Sequence, residues 1–286
     1  MPRVNEPTLL AVDTIVQGAG ALLLGVVVLR LIRSGRARNP LAGLTAVGGP
    51  GLLHVALVLA SFYVLVLFGA QLGRLDPQAA AASGSQTWHL ARLLEDAARL
   101  AAAALAVVLL RRHPCFPSAA RRRNPLRLAG LGLVTTLIML PVCYAQLESG
   151  KLVWHWLAPR VEPPVHPVLV ALTRSQWGAW GAVHLSLTAI VVVPLAEELF
   201  FRGLLLGALW RQLGRAWPAI AISAAAFGLV HSAQPQDVLP LVSMGLILGY
   251  VRLRYRSLAV CVVAHALFNA RTMILVLLAP QLVQGW

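Results

Sequence analysis

The chain alternates between long apolar runs and short polar connections. A helix that rises 1.5 Å per residue needs about 20 apolar residues to cross a hydrocarbon core about 30 Å thick. The pattern therefore predicts an all-α, polytopic transmembrane helix bundle of about eight spans, with boundaries good to about four residues. The predicted spans are Leu9–Leu31, Gly51–Leu72, Leu93–Leu110, Leu128–Gln146, Trp180–Gln212, Trp217–His231, Val238–Leu253 and Ser257–Ala279.

The fifth span, Trp180–Gln212, is longer than a bilayer requires, at about 50 Å of helix. Pro194 lies near its middle and is expected to kink it, because proline removes a helical hydrogen bond. No Gly/Asn turn separates the two halves. We therefore predict one long kinked helix rather than two half-helices.

The distribution of basic residues predicts the orientation of the bundle. With eight spans and an outside N-terminus, the cytoplasmic connections hold more than twice as many basic residues as the outer ones, as the positive-inside rule requires. Both termini are then outside. The first apolar run, which contains Asp13, is predicted to be a retained helix and not a signal peptide.

Composition narrows the class of protein. Apolar residues make up 58% of the chain and charged residues only 12%, against about 45–50% and about 25% in soluble domains. The net charge is +14, but the arginines lie in short connections rather than on one face, so nucleic acid is not an expected partner and membrane lipid is. The three cysteines are scattered and indicate neither a disulfide framework nor a zinc knuckle.

The most informative residues are two adjacent glutamates and an arginine inside the fifth apolar run. A charged side chain near the bilayer centre costs about 2.5–3.5 kcal/mol, so Glu197, Glu198 and Arg202 require partners or a function there. Glu198 and Arg202 are one turn apart and are predicted to form an ion pair. Glu197 points about 100° away and is left as a candidate general base. The alternative is a structural salt-bridge network between helices.

Two later spans each contain a histidine with a partner one turn away. His231 follows Phe227 by four residues, and His265 precedes Asn269 by four. Each histidine alone is explained as well by a helix–helix hydrogen bond. Together with the glutamates they supply a base, a second partner for a water molecule and two donors for an oxyanion, which are the groups that peptide hydrolysis requires.

Other polar residues at membrane depth are assigned no role in this site. Asp13, His54 and Ser61 have no predicted partner, and Arg271 is expected to extend outward to the interface. Polar pairs at membrane depth are expected almost only in the second half of the chain. HExxH, GxSxG and GxGD motifs are absent.

The three motifs, in this order and in hydrophobic helices, resemble those of the CPBP family, the CAAX proteases, bacteriocin-processing and abortive-infection proteins. The resemblance covers about Thr188–Thr272 and includes the supporting stretches Phe201–Gly203 and Gly249–Leu258. It implies a glutamic-type intramembrane endopeptidase that needs no cofactor. It further implies these roles: Glu197 as general base, His231 as the residue that orients the water, His265 and Asn269 as the oxyanion site, and Glu198 with Arg202 as support.

The resemblance also suggests a division of the chain. Residues 1–147 are predicted to be N-terminal transmembrane helices that select the substrate, 148–179 an extracytoplasmic loop, and 180–286 the catalytic transmembrane core. The arginine-rich composition favours the cytoplasmic membrane of a bacterium. The expected substrate is a membrane-anchored protein or hydrophobic-tailed peptide, matured or processed at its C-terminus, rather than a prenylated CAAX protein.

Three alternatives remain at this point. Two histidines and a glutamate could bind zinc, which would make the protein a membrane metalloprotease, although the spacing differs from HExxH. A non-catalytic membrane scaffold would use the same helices for binding alone. A transporter or proton channel would use Glu197 and the histidines as a relay, but the chain has no internal repeat.

Overall fold

Helices dominate the computed structural model, which describes residues 6–33, 41, 44, 48–72, 85–115, 124–161, 164–174 and 178–279. Within these residues there are nine helices and no strand, which confirms the predicted all-α class. The helices are α1 Glu6–Arg33, α2 Leu52–Leu72, α3 Gln86–Arg112, α4 Pro125–Leu157, α5 Pro167–Arg174, α6 Gly178–Leu213, α7 Ala216–Leu229, α8 Pro235–Tyr255 and α9 Leu258–Leu278.

Every predicted span coincides with one of these helices, but the number that crosses the membrane differs. Six of the described helices, α1, α2, α4, α6, α8 and α9, are long and apolar enough to do so. The apolar run of α3 contains three charged residues, and α7 has 14 residues, or about 21 Å of helix. The protein is an integral membrane protein, and the count of eight spans stays a prediction.

Helix α6 is continuous over 36 residues, so the prediction of a single long helix is confirmed. Two of its segments, Thr188–Val192 and Leu199–Leu205, are wound as π-helix and flank a short α-helical stretch, Val193–Glu198. π-helical turns insert an extra residue and occur frequently at functional sites. Both glutamates of the predicted site lie in the stretch between them.

The segment 148–179 is more helical than the predicted loop. Helix α4 continues past Gln146 to Leu157, and α5 follows at Pro167–Arg174. No proline interrupts the chain between Gln146 and Pro159, and Lys151 Nζ lies 2.9 Å from Glu148 Oε1 along the helix. Residues 73–84, between α2 and α3, lie outside the described residues, as do Arg36, Arg38 and the arginines at 121–123.

Close packing between helices positions the second half of the bundle. A Cβ added to Gly245 of α8 would lie 2.8 Å from Ala224 Cα of α7, so only glycine permits this approach. Helix α9 also packs on α4, where the Thr136 hydroxyl donates to the carbonyl of Ala264 at 3.1 Å. The residue after Ala264 is His265, so this bond fixes the backbone that carries a predicted site residue.

An ion pair joins the first and last helices. Asp13 of α1 accepts from Arg271 Nε of α9 at 2.7 Å and also contacts Nη2. The expectation that Arg271 extends outward is therefore wrong. The two charges pair with each other instead, because burying either charge without a partner is unfavourable.

Candidate active site

The six predicted site residues converge from three parts of the bundle. Helix α6 supplies Glu197 and Glu198 from its short α-helical stretch and Arg202 from its second π-helical segment. Helix α9 supplies His265, and Asn269 one turn later. His231 lies in the turn after α7, two residues beyond the helix end at Leu229 and not inside the helix as predicted.

Glu198 forms the buried part of the site, with one of its two oxygens paired. Its side chain is completely buried, and its Oε1 accepts from Arg202 Nη1 at 2.9 Å and from His265 Nδ1 at 2.9 Å. The predicted Glu198–Arg202 ion pair is therefore present. A carboxylate in such a position holds an imidazole in one orientation, which is the common supporting use of a carboxylate beside histidine.

Glu197 forms the open part of the site. Its side chain is 23% exposed, with Oε1 3.9 Å from His231 Nε2 and Oε2 3.8 Å from His265 Nε2. Both distances exceed the range of a direct hydrogen bond, and they are short enough for a water molecule to bridge the groups. The carboxylate is thus held opposite two imidazoles without being bonded to either.

Both histidines have their orientation set through Nδ1. His231 Nδ1 lies 2.9 Å from the carbonyl of Phe227, and a carbonyl only accepts, so Nδ1–H donates. His265 Nδ1–H donates in the same way to the Glu198 carboxylate. In each ring, Nε2 is consequently the atom that faces Glu197. It is available to form a hydrogen bond with a water molecule.

Phe227 packs against most members of the site. It is fully buried, and the guanidinium carbon of Arg202 lies 4.3 Å from its ring centroid. The rings of His231 and His265 lie 5.3 and 5.9 Å from it. A desolvated cation–π contact contributes about 2 kcal/mol. The aromatic residue of the Phe227-x-x-x-His231 motif therefore stabilises the buried charge as well as orienting the histidine.

Asn269 has a partner that its predicted role did not include. Its Nδ2 donates to the backbone carbonyl of Ala189 in α6 at 2.8 Å. The side chain also borders the cavity beside Glu197. One of its two N–H bonds is thus committed to α6, and the other is available to a group in the cavity.

A cavity of about 640 Å³ opens from these residues, within the range usual for ligand sites. Glu197, His231, His265 and Asn269 line one part of it. Apolar residues from the first half of the chain line much of the rest: Val58, Leu59 and Phe62 of α2, Ala102, Ala103 and Ala106 of α3, and Leu140, Cys143 and Leu147 of α4. Both halves of the molecule therefore shape the space around the carboxylate.

A charged network on α3 was not predicted. Glu95 pairs with Arg92 and with Arg99, all three of which border the cavity. Their spacing of three and four residues is the sequence signal that could have identified the network. Ion pairs that border the cavity therefore also occur in the first half of the chain.

Asp96 extends this network to the long helix α6. Its carboxylate accepts from Arg99 at 2.8 Å and from the Thr188 hydroxyl at 2.5 Å, and His184 Nε2 lies 3.1 Å away. Thr188 is the first residue of the π-helical segment that precedes the glutamates. His54, by contrast, accepts from the backbone N–H of Gly51 and takes no part in the site.

Among the residues that the structure describes, no group of three or more His, Cys, Asp or Glu side chains is arranged to hold a metal ion. The nearest set is Glu197 with His231 and His265. In this set, the Nε2 atoms of His231 and His265 lie 3.9 and 3.8 Å from the Glu197 carboxylate oxygens that face them.

The fold and the site together define a helical integral membrane protein with a buried carboxylate–guanidinium pair beside a free carboxylate and two imidazoles. Residues 179–271 match the family model described as type II CAAX prenyl endopeptidase Rce1-like, a CPBP-family domain. The match covers about a third of the chain and includes all six predicted site residues. It supports a membrane protease of the CAAX type. None of the curated proteins and none of the solved structures compared with the chain matches it.

Proposed function

We propose that the chain is a glutamic-type intramembrane endopeptidase that hydrolyses a peptide bond of a membrane-associated protein. The observation that carries this proposal is the geometry at Glu197. A carboxylate without a hydrogen bond among the described residues faces the Nε2 atoms of His231 and His265 at 3.9 and 3.8 Å. Those two histidines are fixed through Nδ1, so a water molecule in the adjoining cavity can bridge the carboxylate and an imidazole.

In the proposed reaction, a water held between Glu197 and His231 attacks the carbonyl carbon of the scissile bond. The Glu197 carboxylate takes one proton of the water as the C–O bond forms. The carbonyl oxygen becomes an oxyanion, which accepts from the free N–H of Asn269 and from Nε2–H of a doubly protonated His265. Collapse of this intermediate breaks the C–N bond, and the proton on Glu197 passes to the leaving amine.

Glu198 and Arg202 act in this proposal without touching the substrate. Doubly protonated His265 bears a positive charge in a buried place, and the Glu198 carboxylate 2.9 Å from its Nδ1 compensates that charge. Arg202 Nη1 in turn donates to the same oxygen of Glu198. The pair therefore positions the oxyanion donor and supports its charge.

The cavity supports a substrate with an apolar segment. Its walls on α2, α3 and α4 are mainly Val, Leu, Phe and Ala side chains. We propose that residues 1–147 select the substrate through these walls, and that this substrate is a membrane-anchored or hydrophobic-tailed protein processed at its C-terminal region. The proposed location is the cytoplasmic membrane of a bacterium, in keeping with the arginine-rich connections.

The non-catalytic alternative explains less of the geometry. A scaffold requires the buried Glu198–Arg202 pair, but it gives no reason for a partly exposed Glu197 opposite two oriented histidines. A proton relay would use the same carboxylate and imidazoles. However, it gives no role to a cavity of about 640 Å³ bordered by apolar side chains.

The proposal is tested by comparing membranes of producing cells that contain either the wild-type chain or Glu197→Gln, with new protein termini identified by mass spectrometry. Termini present only with the wild-type chain identify the substrate. Purified enzyme in proteoliposomes is then given two peptides of the same sequence, one farnesylated at a CAAX cysteine and one carrying an apolar tail instead. If folded wild-type protein cleaved neither the cellular proteins nor these peptides, the proposed function would be contradicted.

A further inference from the structure

The two π-helical segments of α6 share an unusual form of support. In each, a backbone carbonyl accepts a hydrogen bond from the side chain of another helix. Asn269 of α9 donates to Ala189 in the first segment, and Ser223 of α7 donates to Phe201 in the second at 3.0 Å. Buried carbonyls need a donor, and an irregular helix leaves some of them without a backbone partner.

The identity of the unpartnered carbonyl in the first segment follows from the hydrogen-bond register. The Val193 N–H donates to the carbonyl of Thr188, a step of five residues. The next bond in the same register would run from residue 194 to the carbonyl of Ala189. Residue 194 is proline and has no N–H. Asn269 Nδ2 donates to that carbonyl at 2.8 Å and so occupies the place of the missing donor.

We infer that Asn269 is a positioning residue, which maintains the π-helical register before Pro194 and thereby sets the direction in which Glu197 points. Successive residues of a helix are rotated by about 100°, and a π-helical turn contains one extra residue. If the register reverted to α-helix, the residues after it would turn relative to Thr188 by about that angle. Glu197 would then leave the space between His231 and His265.

The other end of the segment is held independently. The Thr188 hydroxyl donates to Asp96 of α3, so the segment begins at a fixed point. With the start anchored on α3 and the Ala189 carbonyl bonded to α9, the rotation of the following residues is determined by one side-chain amide. This role is additional to the donation of the second Asn269 N–H to the oxyanion.

The two roles of Asn269 are separated by restoring the backbone donor. Pro194→Ala supplies an N–H at position 194, which can bond to Ala189 in place of the side chain. Asn269→Ala is therefore compared in the wild-type background and in the Pro194→Ala background, with kcat, KM and the pH profile measured for all four proteins. The matched control is Pro240→Ala, since Pro240 is also a helix-interior proline that borders the same cavity.

In the wild-type background, we expect Asn269→Ala to lower kcat by more than about 10²-fold, because a small displacement of a reacting group has an effect of this size and the oxyanion donor is lost as well. In the Pro194→Ala background, the fold-loss of kcat caused by Asn269→Ala is expected to be at least about tenfold smaller. The pH profile of the double variant is expected to return towards that of Pro194→Ala alone. Losses equal to within about twofold in the two backgrounds would overturn the inference, since additive effects indicate independent sites. A rescue by Pro240→Ala would also overturn it.

The activity measurements rest on the proposed function, so thermal unfolding of the same four proteins is measured beside them. Asn269→Ala is expected to lower the Tm with proline at position 194 and to lower it less with alanine at that position, whether or not a substrate is cleaved. If the wild-type protein cleaved no substrate, this result would contradict only the proposed function. Equal Tm losses in the two backgrounds would contradict the positioning role.

Discussion

Substitution of Glu197 by glutamine separates catalysis from folding more cleanly than any other change in the site. The replacement keeps the shape of the side chain and removes its charge. Glu197 has no hydrogen bond within the described residues, and its nearest imidazole nitrogens lie 3.8 and 3.9 Å away. Loss of a general acid–base group lowers rates by about 10²–10⁴-fold. At about 1.4 kcal/mol per tenfold change, the activation free energy should rise by about 3–5 kcal/mol.

The neighbouring substitution Glu198→Gln is expected to behave differently. Glu198 is completely buried and accepts from both Arg202 and His265 at 2.9 Å. Removing one charge of a buried pair destabilises a protein by about 3–5 kcal/mol, because the partner charge is left uncompensated. Glu198→Gln should therefore lower both activity and the Tm in detergent. Glu197→Gln should lower activity at an almost unchanged Tm.

Both variants are purified and assayed by cleavage of the substrate identified from the terminal-peptide comparison, with circular dichroism followed through thermal unfolding. Glu148→Gln is the matched control. Glu148 pairs with Lys151 on the half-exposed end of α4, so its loss should leave cleavage unchanged. Folded Glu197→Gln protein with wild-type turnover would refute the assignment of Glu197 as the base.

Three further predictions concern the metal, a distant ion pair and the orientation of the bundle. Activity should survive EDTA and o-phenanthroline. If elemental analysis found about one zinc per chain, and this zinc were lost and regained together with activity, the metalloprotease alternative would be established. Asp13→Asn should lower the Tm by leaving Arg271 unpaired, and the reversed pair Asp13→Arg with Arg271→Asp should recover part of that loss. In intact cells an impermeant thiol reagent should label Ser232→Cys and not Arg215→Cys. Both positions are exposed and the three native cysteines are buried, so the opposite pattern would reverse the predicted orientation.

The sequence sufficed for those parts of the site that depend on local spacing. Glu198 and Arg202 are four residues apart, and residues at this spacing lie on one face of a helix whatever surrounds them. The same holds for Phe227 and His231, which remain in contact although the helix ends between them. Hydrophobic length was likewise enough to predict one continuous helix around Pro194.

Contacts between distant segments could not be predicted in this way. Asp13 and Arg271 are 258 positions apart, and nothing in either neighbourhood indicates the other. The π-helical segments were missed because a sequence shows an apolar run with a proline, and several helical registers satisfy that pattern. The Asn269–Ala189 bond depends on the register that the folded bundle selects, so it follows from tertiary packing and not from the His265-x-x-x-Asn269 spacing.

The same long-range contacts bear on whether the segment 180–286 is a catalytic unit by itself. Side chains from the first 157 residues bond to this segment: Asp96 to Thr188 at 2.5 Å, Thr136 to the carbonyl of Ala264 at 3.1 Å, and Asp13 to Arg271. The first anchors the helix before Glu197, and the second anchors the backbone beside His265. Buried polar groups that lose such partners cost about 1–3 kcal/mol each, which is a large fraction of a domain's stability. We therefore expect residues 178–286, expressed alone in membranes, to be digested rapidly by added protease and to cleave no substrate, whereas the full chain resists. A stable and active fragment would show that the N-terminal helices contribute to substrate selection alone.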